Sequence, residues 1–342
     1  MFAGWADAWE AMGSPLMGAL GRALGTVLDE TTETGRRVLN WQGDFRGDAV
    51  PIRVTGGLNA LRRSGQAPGI EALYPPNDLP PQGEVEAILK RELPKLDAAL
   101  APWLGHAPQT NEVGRSGVIW PALMLISART GLPLRLFELG ASAGLNLNCD
   151  RFRYDLGGAK AGAVKSGVHL SPAWHGPPPL VAQPVVAERR GVDINPLDAT
   201  DAAVGERLMA YCWPDQEKRI ERLKAALALA AAYPPALDGG DAADWTEALV
   251  EPQAGHATVV FHTIALQYFS ADSKRRIADH LHRRGNAASA DAPLFWVRFE
   301  DEYEDTDIAP TLKMTSWPGT HEEHLADAHP HGSRITWHGP AA

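Results

Sequence analysis

Cysteine is nearly missing from the 342-residue chain: Cys149 and Cys212 are the only two. Their separation matches no zinc-binding or redox spacing, which points to free thiols in a reducing cytosol and away from a disulfide scaffold. Long apolar runs are missing as well. The longest, Ala225 to Tyr233, falls far short of the roughly 20 residues that a membrane-spanning helix needs. The first residues, Met1-Phe2-Ala3-Gly4-Trp5-Ala6-Asp7, carry no basic stretch and do not read as a signal peptide. Nor is there an excess of positive charge. Against 42 acidic residues stand 32 Lys and Arg, a net charge of -10 with an isoelectric point near 5.6. Bulk attraction to nucleic acid or to an anionic membrane is therefore not expected, and a small-molecule partner is. No internal repeat is present. The expected location is cytoplasmic, and the sequence says nothing of the oligomeric state.

Hydrophobic residues make up 44% of the chain, enough for sizeable cores, and the length suits two domains. Up to about residue 130 the pattern is helical, broken by Gly/Pro-rich stretches such as Tyr74 to Pro81. Gly83 to Leu100 reads as an amphipathic helix kinked or interrupted at Pro94, and Pro121 to Thr130 as another, ended by Gly131 and Pro133. From residue 131 to 342 short apolar runs alternate with helical stretches, the signature of an α/β domain with a mostly parallel sheet. Expected strands are Leu134–Leu139, Pro184–Val192, Pro235–Gly239, Ala257–His262 and Pro293–Phe299, then Leu312–Trp317 and Arg334–Trp337 joined by a His-rich loop. Helices are expected at 215–232 and 273–284. Residues 150–183 fit no βαβ unit and read as a β-insertion, either ornament or a lid over a cleft.

The strongest chemical signal is Phe137-Glu138-Leu139-Gly140-Ala141-Ser142-Ala143-Gly144-Leu145-Asn146. An apolar strand ends in an acid, and a Gly-rich turn then opens a helix. Gly140 supplies the turn and Gly144 lets a ligand approach the backbone. The helix N-terminus would offer N–H groups to the carboxylate of a methionine moiety. The spacing Gly140-x-Ser142-x-Gly144 disfavours the nicotinamide-dinucleotide fingerprint. At the end of the second strand, Asp193 can accept both hydroxyls of a ribose, with Ile194 beside it, or can close an Asx turn before Pro196. It lies 55 residues after Glu138, against about 20 in the common pattern, and the insertion accounts for the excess. After the third strand, Asp241 can bond an adenine amino group while Ala242 packs near the ring; an exposed acidic turn is the plainer account.

The stretches Gln109-Thr110-Asn111-Glu112-Val113-Gly114-Arg115, Glu138 to Asn146, Gly191 to Asp198 and Trp213-Pro214-Asp215 resemble a bacterial family known as domain of unknown function 2332. That family is similar to the class I S-adenosylmethionine-dependent methyltransferases. The resemblance covers nearly the whole chain. It implies a Rossmann-like, seven-stranded methyltransferase-type sheet behind a helical N-terminal region, and S-adenosylmethionine as cofactor, held by Glu138, Gly140, Ala141, Ser142, Gly144, Asn146, Asp193, Ile194, Asp241 and Ala242. It implies no methyl acceptor. Two roles are open to Asn111, Glu112 and Arg115: capping the following helix, or walling the cleft. His262, after the fourth strand, is a candidate general base or a structural hydrogen-bonder. Tyr268 and Gln267 are candidates to orient an acceptor, and His331 to contact it. His321 and His324 stand three apart, which is not the metalloprotease spacing, and no metal is expected there. The run from Glu300 to Asp307 reads as a solvated acidic loop.

Overall fold

A computed structural model describes residues 2–301 and 309–341; Glu302 to Asp307 of the acidic run lie outside the described residues. The helices and first strands are α1 (Ala3–Ala11), α2 (Pro15–Val27), α3 (Glu33–Leu39), α4 (Val50–Arg63), α5 (Gln82–Leu100), α6 (Ser116–Thr130), β1 (Leu134–Leu139), β2 (Arg153–Leu156), β3 (Ala159–Gly162), β4 (His169–Leu170), β5 (Ala173–His175) and β6 (Val186–Asp193). Next come α7 (Ala202–Tyr211), α8 (Glu217–Ala232), β7 (Leu237–Gly239), α9 (Ala242–Leu249), β8 (Ala257–Thr263), α10 (Ala271–Asn286), β9 (Leu294–Glu300), β10 (Thr311–Trp317), β11 (His321–Ala328) and β12 (Arg334–Trp337). Two units emerge, Met1–Thr110 with Ala202–Lys224, and Asn111–Asp201 with Ala225–Ala342. Helix α6 groups with the second unit, and residues 202–224 return to the first.

In the first unit the starts of α2 and α3 are each fixed by a side chain. Ser14 Oγ accepts from Met17 N at 3.2 Å, with Pro15 opening α2, and Thr32 Oγ1 accepts from Gly35 N at 3.0 Å to open α3. Trp213-Pro214-Asp215 serves this unit. Asp215 accepts from Ser14 Oγ at 2.6 Å and from Leu16 N at 3.0 Å, and Trp213 meets Trp9 edge-on. The core gathers Trp9, Leu20, Leu24, Val54, Leu58, Leu89 and Leu100, all buried; each such side chain contributes about 1.5–3 kcal/mol. Helix α5 runs through Pro94 without interruption, so the expected break is at most the one backbone bond that proline cannot donate.

The second unit is built on a mostly parallel sheet in the order β5-β12-β11-β10-β9-β8-β1-β6-β7. Strand β8, Ala-Thr-Val-Val-Phe-His-Thr, is buried at every position, as a central parallel strand covered on both faces must be. Phe137, Val260 and Trp296 pack with Trp245 of α9 and Ile277 and Leu281 of α10. Helix α6 packs against β9, β10 and β11 and is buried from Ser116 to Ile126, which is why its sequence is apolar all round. Gly131, at φ 65°, ends it.

Two expectations about the sheet need correcting. The large sheet has nine strands among the described residues, not seven. The segment read as a His-rich loop is β11, hydrogen-bonded to β10 on one side and β12 on the other; pairing on both edges outweighs the low strand preference of His, Glu and Asp. After β9 the chain therefore runs as an antiparallel meander, each strand beside its predecessor. The insertion forms a small sheet, β3-β2-β4, and sends β5 to the edge of the large sheet beside β12. No helix among the described residues is long and apolar enough to cross a membrane.

Candidate functional site at the strand ends

Strand order reverses between β1 and β8: β6 and β7 follow β1 on one side, β8 and β9 lie on the other. In open parallel sheets this is where ligands bind, beyond the carboxyl ends of the strands. Here Glu138 stands near the end of β1, and the turn after the strand holds three left-handed residues, Gly140 (φ 69°), Ser142 (φ 53°) and Gly144 (φ 66°). A Cβ on Gly140 would lie 2.7 Å from that of Ala265, and one on Gly144 2.8 Å from the Pro235 ring. Both glycines are thus required by conformation and by packing.

The turn is stitched to its neighbours. Ser142 N donates to Asp193 Oδ2 at 2.8 Å, Leu197 N to Ser142 O at 3.1 Å, and Ala141 N to Val192 O at 3.0 Å. Asp193 Oδ1 meanwhile accepts from Asn195 N at 2.9 Å, the Asx turn, so this carboxylate combines the turn with anchoring the loop. The element after Gly144 is a short 3₁₀ helix, Leu145–Arg151, with non-helical angles at Asn148. Its first amide, Leu145 N, donates to Asn111 Oδ1 at 2.8 Å. The turn therefore does not lead into the expected α-helix with N–H groups open to an anion.

Asn111, Glu112 and Arg115 come together with this turn. Asn146 accepts from Ser116 Oγ at 2.6 Å and donates to Glu112 O at 3.4 Å. Glu112 Oε1 accepts from Gly114 N at 2.9 Å, which caps the turn 113–115. Arg115 donates from Nη1 to Thr263 O, the end of β8, at 2.8 Å, and from Nε to Pro330 O at 3.0 Å. The second bond brings in the 329–332 turn, where the imidazoles of His329 and His331 lie 5.2 Å apart. The Glu112 cap thus serves the 113–115 turn, while α6 itself opens without a side-chain cap.

Glu138 is 2% exposed, and its Oε2 has no hydrogen-bond partner. Burial pushes its carboxyl well above the ordinary carboxylate range, the negative charge of Asp193 adds to this, and Arg115 opposes it. Ser142 Oγ, 7% exposed, is also buried without a partner.

The remaining expected residues are placed differently. His262 is fully buried; Nδ1 lies 2.5 Å from Glu300 Oε1, and Nε2 accepts from Trp296 Nε1 at 3.0 Å. Both ring nitrogens are engaged, which leaves none for a substrate proton. Glu300 also accepts from Ala265 N and Leu266 N, holding the loop after β8. Glu300, expected to open a solvated acidic loop, is instead buried as the last residue of β9. Sequence reasoning missed its partnership with His262 and missed Trp296; the available signal was a polar residue at the end of each of two apolar strands. Asp241 caps α9, accepting from Ala243 N, Asp244 N and Ser273 Oγ, and Ala242 is buried in that first turn. Gln267 and Tyr268 are exposed on the short turn after β8, Tyr268 at 76%, and Ile194 projects beside Asp193 at 86%.

Sheet and strand-end cluster define an α/β protein with buried acids at its topological switch point. The chain belongs to the family described as an uncharacterized protein conserved in bacteria (DUF2332), whose model matches residues 1–337. No curated protein matches it.

Proposed function

We propose that the Gly140–Gly144 turn and the strand ends around it bind S-adenosylmethionine, and that the protein transfers the methyl group to a small-molecule acceptor. The observation that carries this reading is Glu138, a carboxyl buried at the switch point with an unpartnered oxygen. In the turn that follows β1, Ser142 carries an unpartnered hydroxyl at a left-handed position. Buried polar atoms without partners are costly, so a pair of them suits a site completed by a ligand. The amino-acid end of S-adenosylmethionine offers an ammonium to Glu138 and a carboxylate to Ser142. Asp193 keeps lone pairs for ribose hydroxyls, and Ile194 presents an exposed apolar side chain to the base.

When bound, the cofactor supplies an electrophilic sulfonium methyl group. The chain's own part is positioning. Arg115 fixes the ends of β8 and of the 329–332 turn through two carbonyls. Orienting an acceptor falls to Gln267, Tyr268 and His331. A second reading, a cofactor-binding protein without transfer activity, is favoured by His262, whose ring nitrogens are both engaged.

The test is thermal unfolding with S-adenosylmethionine, S-adenosylhomocysteine and NADH in separate samples. A ligand at 100 times its dissociation constant adds about 2.7 kcal/mol. A rise with the first two supports the reading; a rise with NADH alone sinks it. Stabilisation without methylation of any small acceptor supplied selects the second reading.

A further inference from the structure

Strand β11 carries a register irregularity that gathers three metal-ligating side chains. Leu312 pairs with Ala326 but Lys313 pairs with His324, so Leu325 is an extra residue without a partner on β10. Such a bulge reverses the alternation of side chains along a strand. His324 and Asp327, three apart in sequence, would point to opposite faces of a regular strand; across the bulge they share one. Asp327 pairs with Thr336 of β12, and His338, two residues beyond Thr336, returns to that same face.

The outcome is a compact cluster. His324 Nε2 lies 2.8 Å from Asp327 Oδ1, and His338 Nε2 lies 2.8 Å from Asp327 Oδ2. The two imidazole rings are 5.0 Å apart, and the three donor atoms all lie within 4.8 Å of one another. His324 Nε2 also sits 3.2 Å from Ala326 O. All three side chains reach solvent, at 38–44% exposure, so an ion can enter without opening the fold.

We infer that His324, Asp327 and His338 form a binding site for a first-row divalent transition-metal ion of the zinc class. Two imidazoles and one carboxylate are the donor set such ions take, with water completing the coordination. Donors about 2.0–2.2 Å from a tetrahedral ion stand roughly 3.3 Å from one another. Side-chain rotation closes the cluster, whose donors lie within 4.8 Å of one another, to that arrangement. Bound there, the ion joins β11 to the chain just past β12 and fastens the end of the meander, adding to the pairs Ala326–Trp337 to Ala328–Ile335 and the bond from His338 N to Leu325 O. The site is independent of the Gly140–Gly144 turn.

Calorimetric titration of the chelator-treated full chain with zinc chloride tests this. The parent takes up one equivalent saturably, and its melting temperature rises. His324→Ala and His338→Ala each abolish the saturable uptake, Asp327→Asn weakens it, and His329→Ala, in the neighbouring histidine pair, leaves it unchanged. Absence of saturable binding by the parent overturns the inference. So does uptake that survives in the His324→Ala/His338→Ala double variant, or that is lost in His329→Ala.

Discussion

The His262 imidazole and the Glu300 carboxylate meet at 2.5 Å at the ends of neighbouring parallel strands. Glu300 is a shared acceptor, taking the ring and the amides of Ala265 and Leu266 together. Glu300→Ala leaves these donors buried without an acceptor. The expected loss of stability is about 3 kcal/mol, since breaking a buried pair strands the partner left behind. Glu300→Gln, which keeps one acceptor oxygen, costs less. Urea midpoints of the two variants measure this; an Ala variant as stable as its parent refutes the shared-acceptor role.

Glu138 makes stability depend on pH in the direction opposite to a salt-bridged acid. Its folded carboxyl is raised well above the ordinary value of 4.5. Between that value and the raised one, the folded state holds a proton that the unfolded state has lost. Stability is therefore fully present below about pH 4.5 and falls as pH rises through this window. Glu138→Gln removes the dependence. The variant should be close to the parent at pH 4 and more stable than it at pH 8, while losing the stabilisation by S-adenosylmethionine. Parallel stability curves for variant and parent across that range would contradict the buried acid.

Elements are legible in the sequence where the interactions that make them are local. The runs Leu134–Leu139, Ala257–His262 and Pro293–Phe299 announce β1, β8 and β9 because buried parallel strands are apolar along their whole length. The turn at Gly140 and Gly144 is legible because left-handed residues favour glycine. Strand β11 is hidden because its polar residues take strand form only through partners on both edges. The 3₁₀ helix after Gly144 depends on Asn111, 34 residues earlier. Asp215 sits in a motif visible in sequence, but its partner Ser14 is 201 residues away. The alignment of His324, Asp327 and His338 hangs on a bulge that no side-chain pattern reports. In the candidate site, Glu138, Ser142, Asp193 and Arg115 do come together, while the engagement of His262 depends on strand register, which sequence alone does not set.

Ser142 is where conformational strain and an unpartnered hydroxyl coincide. A non-glycine residue at φ 53° costs about 1–2 kcal/mol relative to its right-handed form, and a buried hydroxyl without a partner costs about 1–3 kcal/mol. Ser142→Gly removes both penalties and adds about 0.5–1 kcal/mol of backbone entropy to be lost on folding. The backbone bond from residue 142 to Asp193 remains available in the variant, because it uses the amide. The net expectation is a gain of about 1 kcal/mol or more, read as a higher urea midpoint at unchanged slope. Ser142→Ala relieves the orphaned hydroxyl but keeps the left-handed strain, so its gain should be smaller. Equal gains for Gly and Ala would show that the strain is no larger than the backbone entropy glycine loses, and no gain for Ala would show that the hydroxyl has a partner. Affinity should move the other way. If the serine hydroxyl exists to meet the cofactor carboxylate, both variants lose S-adenosylmethionine binding by a similar factor, roughly tenfold for one hydrogen bond to a charged group. Stability gained and affinity lost at the same residue is the pattern of a site held unsatisfied for its ligand; stability gained with affinity intact would place the cofactor's carboxylate elsewhere.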